Sequence, residues 1–444
     1  MSEQQLKETA AAIFMAGIQA VDPVNCIHSC LQVDQDTLYT KDSTISLNEI
    51  NRLIVVGMGK ASAAMAAAVE SLLGEKIDEG LIITKYGHGI PLQHCRVLEA
   101  AHPVPDAQGV AAANALIDLV STAGPHDVVL CLISGGGSAL SPAPVPGIGL
   151  EDKQTVTRLL LDCGASIHQI NTVRKHLSRL KGGHLCQHAP QAKIISLILS
   201  DVIGDDLDII ASGTTVQDSG TFADCMQIVH GYNLLPRLPA SVSKYLQQGC
   251  SGQVQETPKP GNPIFENTTN HIVGSLSQAL LAADEKARLL GFHSLILSSS
   301  LHGETKEVAK VLCSVGKEVR TWHRPLCPPA CILSGGETTV TIKGTGLGGR
   351  NMELALAAVT ELSGLRSTVL LSAGTDGTDG PTDAAGAFAA GSTQAQAQKR
   401  GLYPQKYLTN NDSYHFFQEI DDLFITGPTG TNVMDMQILL VDDE

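Results

Sequence analysis

The chain has 444 residues, of which 43% are hydrophobic and only 17% charged. That composition excludes disorder as the dominant state and leaves room for about two or three domains, at roughly 150 residues each. A net charge of −15, from 30 basic and 45 acidic side chains, excludes a broad phosphate-tracking nucleic-acid surface but permits a local basic pocket for a small anion.

The opening decapeptide carries Glu3 and Glu8 and no apolar run behind a basic start, so neither a secretory leader nor an Arg-rich transit peptide is expected. A helix with 3.6-residue spacing is predicted from about residue 4 to 20. Short apolar runs then alternate with amphipathic stretches. Strands are predicted at 52–56 (RLIVV), 80–84 (GLIIT), 126–133 (HDVVLCLI) and 193–199 (KIISLIL), with helices at 61–73, 106–121, 151–163 and 169–181. Strand, glycine turn and helix in repetition is the pattern of a mostly parallel, Rossmann-like α/β sheet. The proline- and glycine-bearing stretch 251–270 breaks it and is read as a linker between an N-terminal domain, 1–250, and a smaller C-terminal α/β domain, 271–444. Beyond it, strands are expected at 271–274, 293–297, 330–333, 338–343, 367–371, 423–425 and 436–441. Helices are expected up to about 290 and near 304–320, 351–362 and 412–419. No apolar run reaches the length of a membrane span, and a cytoplasmic location is expected. The 11 scattered cysteines suit free thiols in a reducing compartment. The pairs Cys26/Cys30 and Cys327/Cys331 lack the further ligands a zinc site needs.

In parallel sheets, ligands bind beyond the carboxyl ends of strands. Five glycine- or aspartate-rich loops fall there: GMGKAS, SGGGSAL, SDVIGDD, GGE and AGTDGTDG. Such glycines also serve plain tight turns, but their number favours a site. Gly57-x-Gly59-x-x-Ser62 lacks the third glycine of the dinucleotide fingerprint, and the next strand ends at Thr84–Lys85 without a ribose-binding acid. A helix start with exposed amides beside Lys60 still suits an anion. Ser134, Gly135, Gly136, Gly137 and Ser138 can form a phosphate nest. Leu140 rules out a G-x-S-x-G nucleophile elbow, and no Walker A motif is present. The segment NTVRKHLSRLKGG brings Arg174, Lys175, Arg179 and Lys181; Arg174 and Lys181, seven apart, would share a helix face. Carboxylates cluster at Asp201, Asp205 and Asp206 and at Asp376, Asp379 and Asp383. These suit magnesium, a general base, or simply Asx turns. Glu337 stands in GGE, and Arg350 opens a helix from which it could fork onto a carboxylate or phosphate.

Taken in order, GMGKAS, SGGGSAL, INTVRKHLSRLKGG, SDVIGDDLDIIASG, GGETTVTIKGTGLGGRN, SAGTDGTDGPTDAAGA, NDSYHFF and TGPTGTNVMD resemble the glycerate kinase family of the type that makes 2-phosphoglycerate, also called the MOFRL family. The resemblance covers nearly the whole chain. It implies two α/β domains with a cleft between them, ATP and Mg²⁺ as cofactors, and phosphorylation of D-glycerate at its 2-hydroxyl. The family's active-site lysine and arginine match Lys60 and Arg350, one on each side of the expected linker. To these we add Asp201 as candidate base and Asp205 and Asp376 as metal carboxylates. Gly59, residues 134–138, Arg174, Lys181 and Glu337 are expected to hold substrate or phosphate. Two departures are visible: Thr214 replaces a usual proline, and Met352 a usual glutamine. Because some relatives carry the name hydroxypyruvate reductase, an NAD(P)H-dependent reductase is the alternative; a non-catalytic anion-binding regulator is another. Partners are expected to be small molecules, with a homodimer admitted and neither nucleic acid nor membrane.

Overall fold

Continuous burial explains the strongest sequence signals. In a computed structural model that describes residues 1–443, β1 (Leu53–Met58) and β4 (Val128–Ile133) are buried at every position. They stand at the centre of a six-stranded sheet with β2 (Glu79–Lys85), β3 (Cys95–Ala100), β5 (Lys193–Leu199) and β6 (Thr268–Gly274). The order is β3-β2-β1-β4-β5-β6, and every pairing from β3 through β5 is parallel. The order reverses between β1 and β4, the position at which doubly wound sheets open a crevice at their carboxyl edge. GMGKAS and SGGGSAL leave the sheet at that reversal. A three-stranded meander, Gln32–Asp34, Thr37–Tyr39 and Thr44–Ser46, precedes the sheet and was not expected from the sequence.

A second sheet runs β7-β8-β12-β9-β10-β11, from β7 (His293–Glu304), β8 (Ala330–Thr339), β9 (Thr368–Gly374), β10 (Gly386–Ala390), β11 (Leu423–Phe424) and β12 (Asp435–Val441). Only β7 and β8 pair in parallel; β12 lies antiparallel to both β8 and β9. The expected strand at 338–343 is instead the tail of β8, which ends at Thr339.

The chain divides into two compact units that change over at Val273/Gly274, close to the expected start of the C-terminal domain at 271, but the first residues and the stretch 251–270 are distributed differently. One comprises Cys26–Ser200 and Asp205–Val273; the other comprises Met1–Asn25, Asp201–Gly204 and the chain from Gly274 onward. The stretch 251–270 is part of the first unit. Asp218 N–H donates to Pro258 O (2.9 Å), Thr257 Oγ1 to Asp218 Oδ2 (2.8 Å), and Ile194 N–H to Asn267 O (2.9 Å). The N-terminal helix (Glu3–Ala20) belongs to the second unit. Its face of Leu6, Ala10, Ile13 and Phe14 is buried; Phe14 meets Phe424 edge-on at 5.3 Å, and Lys7 pairs with Asp422 at 2.6 Å. Burial of that apolar stripe decides its destination, and sequence order carries no signal of it. Among the described residues no single helix is long and apolar enough to cross a membrane.

Phe14→Ala should therefore destabilise the second unit by about 3–5 kcal/mol, the usual cost of deleting a buried aromatic. Hydrogen exchange checks this: amides of β9 and β12 should lose protection while those of β4 and β5 keep theirs.

Candidate functional site

At the β1/β4 reversal the two glycine loops bind each other. Lys60 N–H donates to Gly135 O (2.9 Å) and Ala61 N–H to Ser134 Oγ (3.0 Å). Gly59 has φ of +137°, and a Cβ there would run into the Ser134 hydroxyl and carbonyl. The helix that follows (Ser62–Leu73) begins with a buried serine, whose Oγ donates to Gly59 O (2.7 Å) and Ile83 O (3.0 Å). Ser62 thus fills the place of the fingerprint's third glycine. Gly136 is left-handed at φ of +82° and backs onto His102 and the Lys60 stem; Gly137 backs onto Met58 and Ala211. Ser138 Oγ meets Ser212 Oγ at 2.8 Å, and Ser212 Oγ donates to Asn171 Oδ1 (3.1 Å). Ala211 (φ +48°) and Ser212 (φ +59°) are both left-handed, a strained pair of non-glycine residues of the kind that gathers at functional sites. No local pattern signals that strain or the role of Asn171.

Beside these loops lies a cavity of about 600 Å³ whose lining includes His102, Gly136, Ser138, Lys153, Arg174 and Lys181. Arg174 and Lys181 do meet, but not by helix periodicity. Their helix (Ile167–His176) ends before Lys181, and an irregular turn carries Lys181 inward. Lys181 Nζ donates to Ser138 O (2.8 Å) and Ser141 O (3.3 Å), while Lys153 Nζ donates to Leu177 O (3.1 Å). Burial lowers all three cations' pKa values. Lys153 falls to about 7, with Arg174 adding to the effect; Lys181 falls well below its ordinary value, with Lys153 and Arg174 contributing; Arg174 is lowered by burial alone. Burial, then Lys60, Lys85 and His88, also bring His102 down to about 4, so it is neutral at pH 7. Of the other basic residues, Lys175 is spent on Asp208 and Asp218, and Arg179 on Asn114 Oδ1 (3.0 Å).

In the second unit, Arg350 opens the helix Arg350–Glu361. Its Nε and Nη2 fork onto Asp435 at 2.6 and 3.0 Å, and Nη1 reaches Glu337 at 2.5 Å. Burial opposes the guanidinium charge, but Asp435 first and then Glu337 raise its pKa well above the ordinary value. Three of the five guanidinium donors are thus occupied, leaving two for a ligand. The fork expected for a ligand is made to buried Asp435 in this structure. The helix amides are also taken: Asn351 and Met352 N–H donate to Asp379 at 3.1 and 2.8 Å. Burial lifts Asp379 to about 7 against those two bonds. The GTGLGGR loop before the helix is pinned by the NDSYHFF segment. Lys343 and Gly344 N–H donate to Asn411 Oδ1 (2.7 and 2.9 Å), Leu347 N–H to Asp412 Oδ1 (2.9 Å), and Asn411 in turn donates to buried Glu353 (2.9 Å).

The acidic candidates separate. Asp201 groups with the second unit and Asp205 with the first. Asp205 is left-handed at φ of +56°. Asp376 Oδ1 accepts from Thr378 N–H (3.0 Å) and Oγ1 (3.1 Å), an Asx turn, and Asp383 accepts from Tyr414 Oη (2.8 Å). Among the described residues no group of three or more His, Cys, Asp or Glu side chains is arranged to hold a metal, and all eleven cysteines are free. The two departures from the resemblance are both buried. Met352 packs in the hydrophobic core of the second unit, so it does not reach toward a ligand, and Thr214 sits against Met58 and Ala211 O.

Two family profiles match the chain: a domain of unknown function, DUF4147, over residues 9–247, and the MOFRL family over 330–435. A D-glycerate 2-kinase of Thermotoga maritima is 42% identical over 439 residues, spanning 99% of each chain. The crystal structure of a glycerate kinase from the same organism superposes with a TM-score of 0.88 at 41% identity, covering 99% of this chain and 100% of that one. A relative from Agrobacterium vitis, 43% identical over 88% of this chain and 87% of its own length, carries the name "Putative hydroxypyruvate reductase". With near-complete coverage at this identity, and with both profiles in the expected order, the chain belongs to the MOFRL family that includes the glycerate 2-kinases.

Proposed function

We propose that the protein transfers the terminal phosphoryl group of ATP to the 2-hydroxyl of D-glycerate, giving 2-phosphoglycerate and ADP. The observation that carries this reading is the 42% identity, over 99% of each chain, to a D-glycerate 2-kinase, with Lys60 and Arg350 both present. The new bond joins the γ-phosphorus to the glycerate 2-oxygen; the bond to the β,γ-bridging oxygen breaks, and the hydroxyl proton passes to a base, for which Asp201 is our candidate. Such transfers depend on positioning and charge neutralisation rather than on protein covalent chemistry. Lys60 supports this as a compact cation beside the glycine loop to which its own backbone N–H is bonded. Arg350 supports it with its two unspent donors, held in place by Asp435 and Glu337. Arg350 and Glu337 are assigned to substrate, as are Gly59 and residues 134–138.

Magnesium, when bound to a nucleotide, neutralises phosphate charge and usually needs only one or two protein carboxylates. Asp205 and Asp376 fit as single donors of that kind; Asp376 keeps one carboxylate oxygen outside its Asx turn. The reductase alternative has less support, since Ser62 occupies the third fingerprint position and Lys85 ends β2 where an acid would hold a ribose.

Incubation with D-glycerate and MgATP should yield 2-phosphoglycerate, identified by phosphorus NMR. The 3-phospho isomer alone, or NAD(P)H oxidation with hydroxypyruvate at an equal rate, would overturn the proposal. Lys60→Met should lower kcat about a hundredfold, or roughly 3 kcal/mol, with its melting temperature unchanged. Arg350→Ala should lose turnover and also stability, by up to about 3 kcal/mol, because Asp435 is left buried and unpaired. Adding Asp435→Asn should restore melting but not turnover. Recovery of turnover in that double variant would reduce Arg350 to a structural partner of Asp435.

A further inference from the structure

Lys153 belongs to none of the glycine, basic or acidic motifs of the sequence. It lies at the end of the first turn of the helix Leu150–Asp162, among Glu151, Asp152 and Gln154. Here it is buried, as is Lys181, and both line one cavity with Arg174. Among the described residues none of the three forms an ion pair, although the protein carries 45 acidic side chains to choose from. Their ammonium groups touch only backbone carbonyls, and an ammonium has three donors. Buried cations without counter-charges are unfavourable in the fold and persist where a ligand supplies the charge. The remaining charged lining residues are Arg158 and Asp162, both exposed, so basic groups outnumber acidic ones around the cavity.

Its size and walls narrow the ligand. About 600 Å³ is more than a three-carbon acid needs and falls in the range of sites for larger small molecules. Its rim includes Val104 and Leu161, 62% and 61% exposed, with Pro105 and Leu150 beside them. A cationic floor with an apolar rim matches a molecule that is polyanionic at one end and flat and apolar at the other. Lys181 also holds the Ser138 carbonyl, which ties the floor to the glycine loop that bonds Lys60.

We propose that this cavity seats the phosphate-donor nucleotide, its polyphosphate on Lys153, Arg174 and Lys181 and its base against Val104 and Leu161. The assignment rests on the kinase reading for the ligand's role, but its binding test does not need turnover. Calorimetry with ADP, inorganic tripolyphosphate and adenosine should be run on the native protein, Lys153→Met and Leu161→Asp. Lys153→Met should weaken ADP and tripolyphosphate at least tenfold and melt no lower than the native protein, because a costly buried cation is gone. Leu161→Asp, a surface change, should weaken ADP and spare tripolyphosphate. The difference between native protein and Lys153→Met should also shrink above pH 7. There the Lys153 ammonium, flanked by Arg174, Lys181, Arg158 and Asp162, loses its proton, and anion binding must recover it.

Unchanged ADP affinity in Lys153→Met would overturn the proposal. So would equal loss of melting stability and affinity, which marks a structural lysine, or tripolyphosphate binding as tightly as ADP with no effect of Leu161→Asp, which marks an inorganic anion site. If the native protein binds ADP as described yet turns over no D-glycerate, the site stands and the kinase reading fails.

Discussion

The mutual grip of two backbone loops at the β1/β4 reversal is what the first unit's chemistry depends on. Lys60 N–H to Gly135 O, and Ala61 N–H to the Ser134 hydroxyl, join the ends of two adjacent parallel strands. The approach is so close that glycine is required where the loops cross, at Gly59, and at left-handed Gly136 beside His102, while Gly137 packs tightly against Met58. Strand geometry supplies the position and absence of side chains supplies the closeness. The Lys60 side chain is thereby anchored at a backbone that cannot shift without breaking the sheet edge.

Charge is distributed in opposite senses in the two units. The first concentrates Lys153, Arg174 and Lys181 around one cavity, and among the described residues none of the three forms an ion pair. The second surrounds its cation with acids: Arg350 contacts Asp435 and Glu337, and Asp379 stands close enough to contribute to its charge balance. Burial sharpens both arrangements, since an unpaired charge is costly in low dielectric and a paired one is held rigidly. An average net charge of −15 conceals both.

Rigidity in the second unit comes from side chains borrowed across long stretches of sequence. Asp379 caps the Arg350 helix, Asn411 and Asp412 hold the loop before it, and Asp435 from the last strand fixes the guanidinium. The acidic loops thus serve partly as scaffolding. That is why aspartates with similar sequence surroundings, Asp376 and Asp379, differ so much: one makes a local turn and the other is buried against helix amides.

The strands buried on both faces are legible in the sequence, because a fully covered strand must be apolar throughout, as LIVVGM and VVLCLI are. So are the glycine loops at their ends and, through ordered motifs, the family. β10 (GAFAA) is not, because alanine and glycine carry no alternation, and β12 could be predicted as a strand but not as one inserted between β8 and β9. Only the tertiary structure decided that the first helix joins the unit built from the chain's end, that 251–270 packs instead of linking, that Arg350 is engaged by Asp435, and that Lys153 points inward. The physical reason is common to all four. Each depends on which surface buries a given face or charge, and that surface is made by residues tens to hundreds of positions away, whose effect no local pattern records.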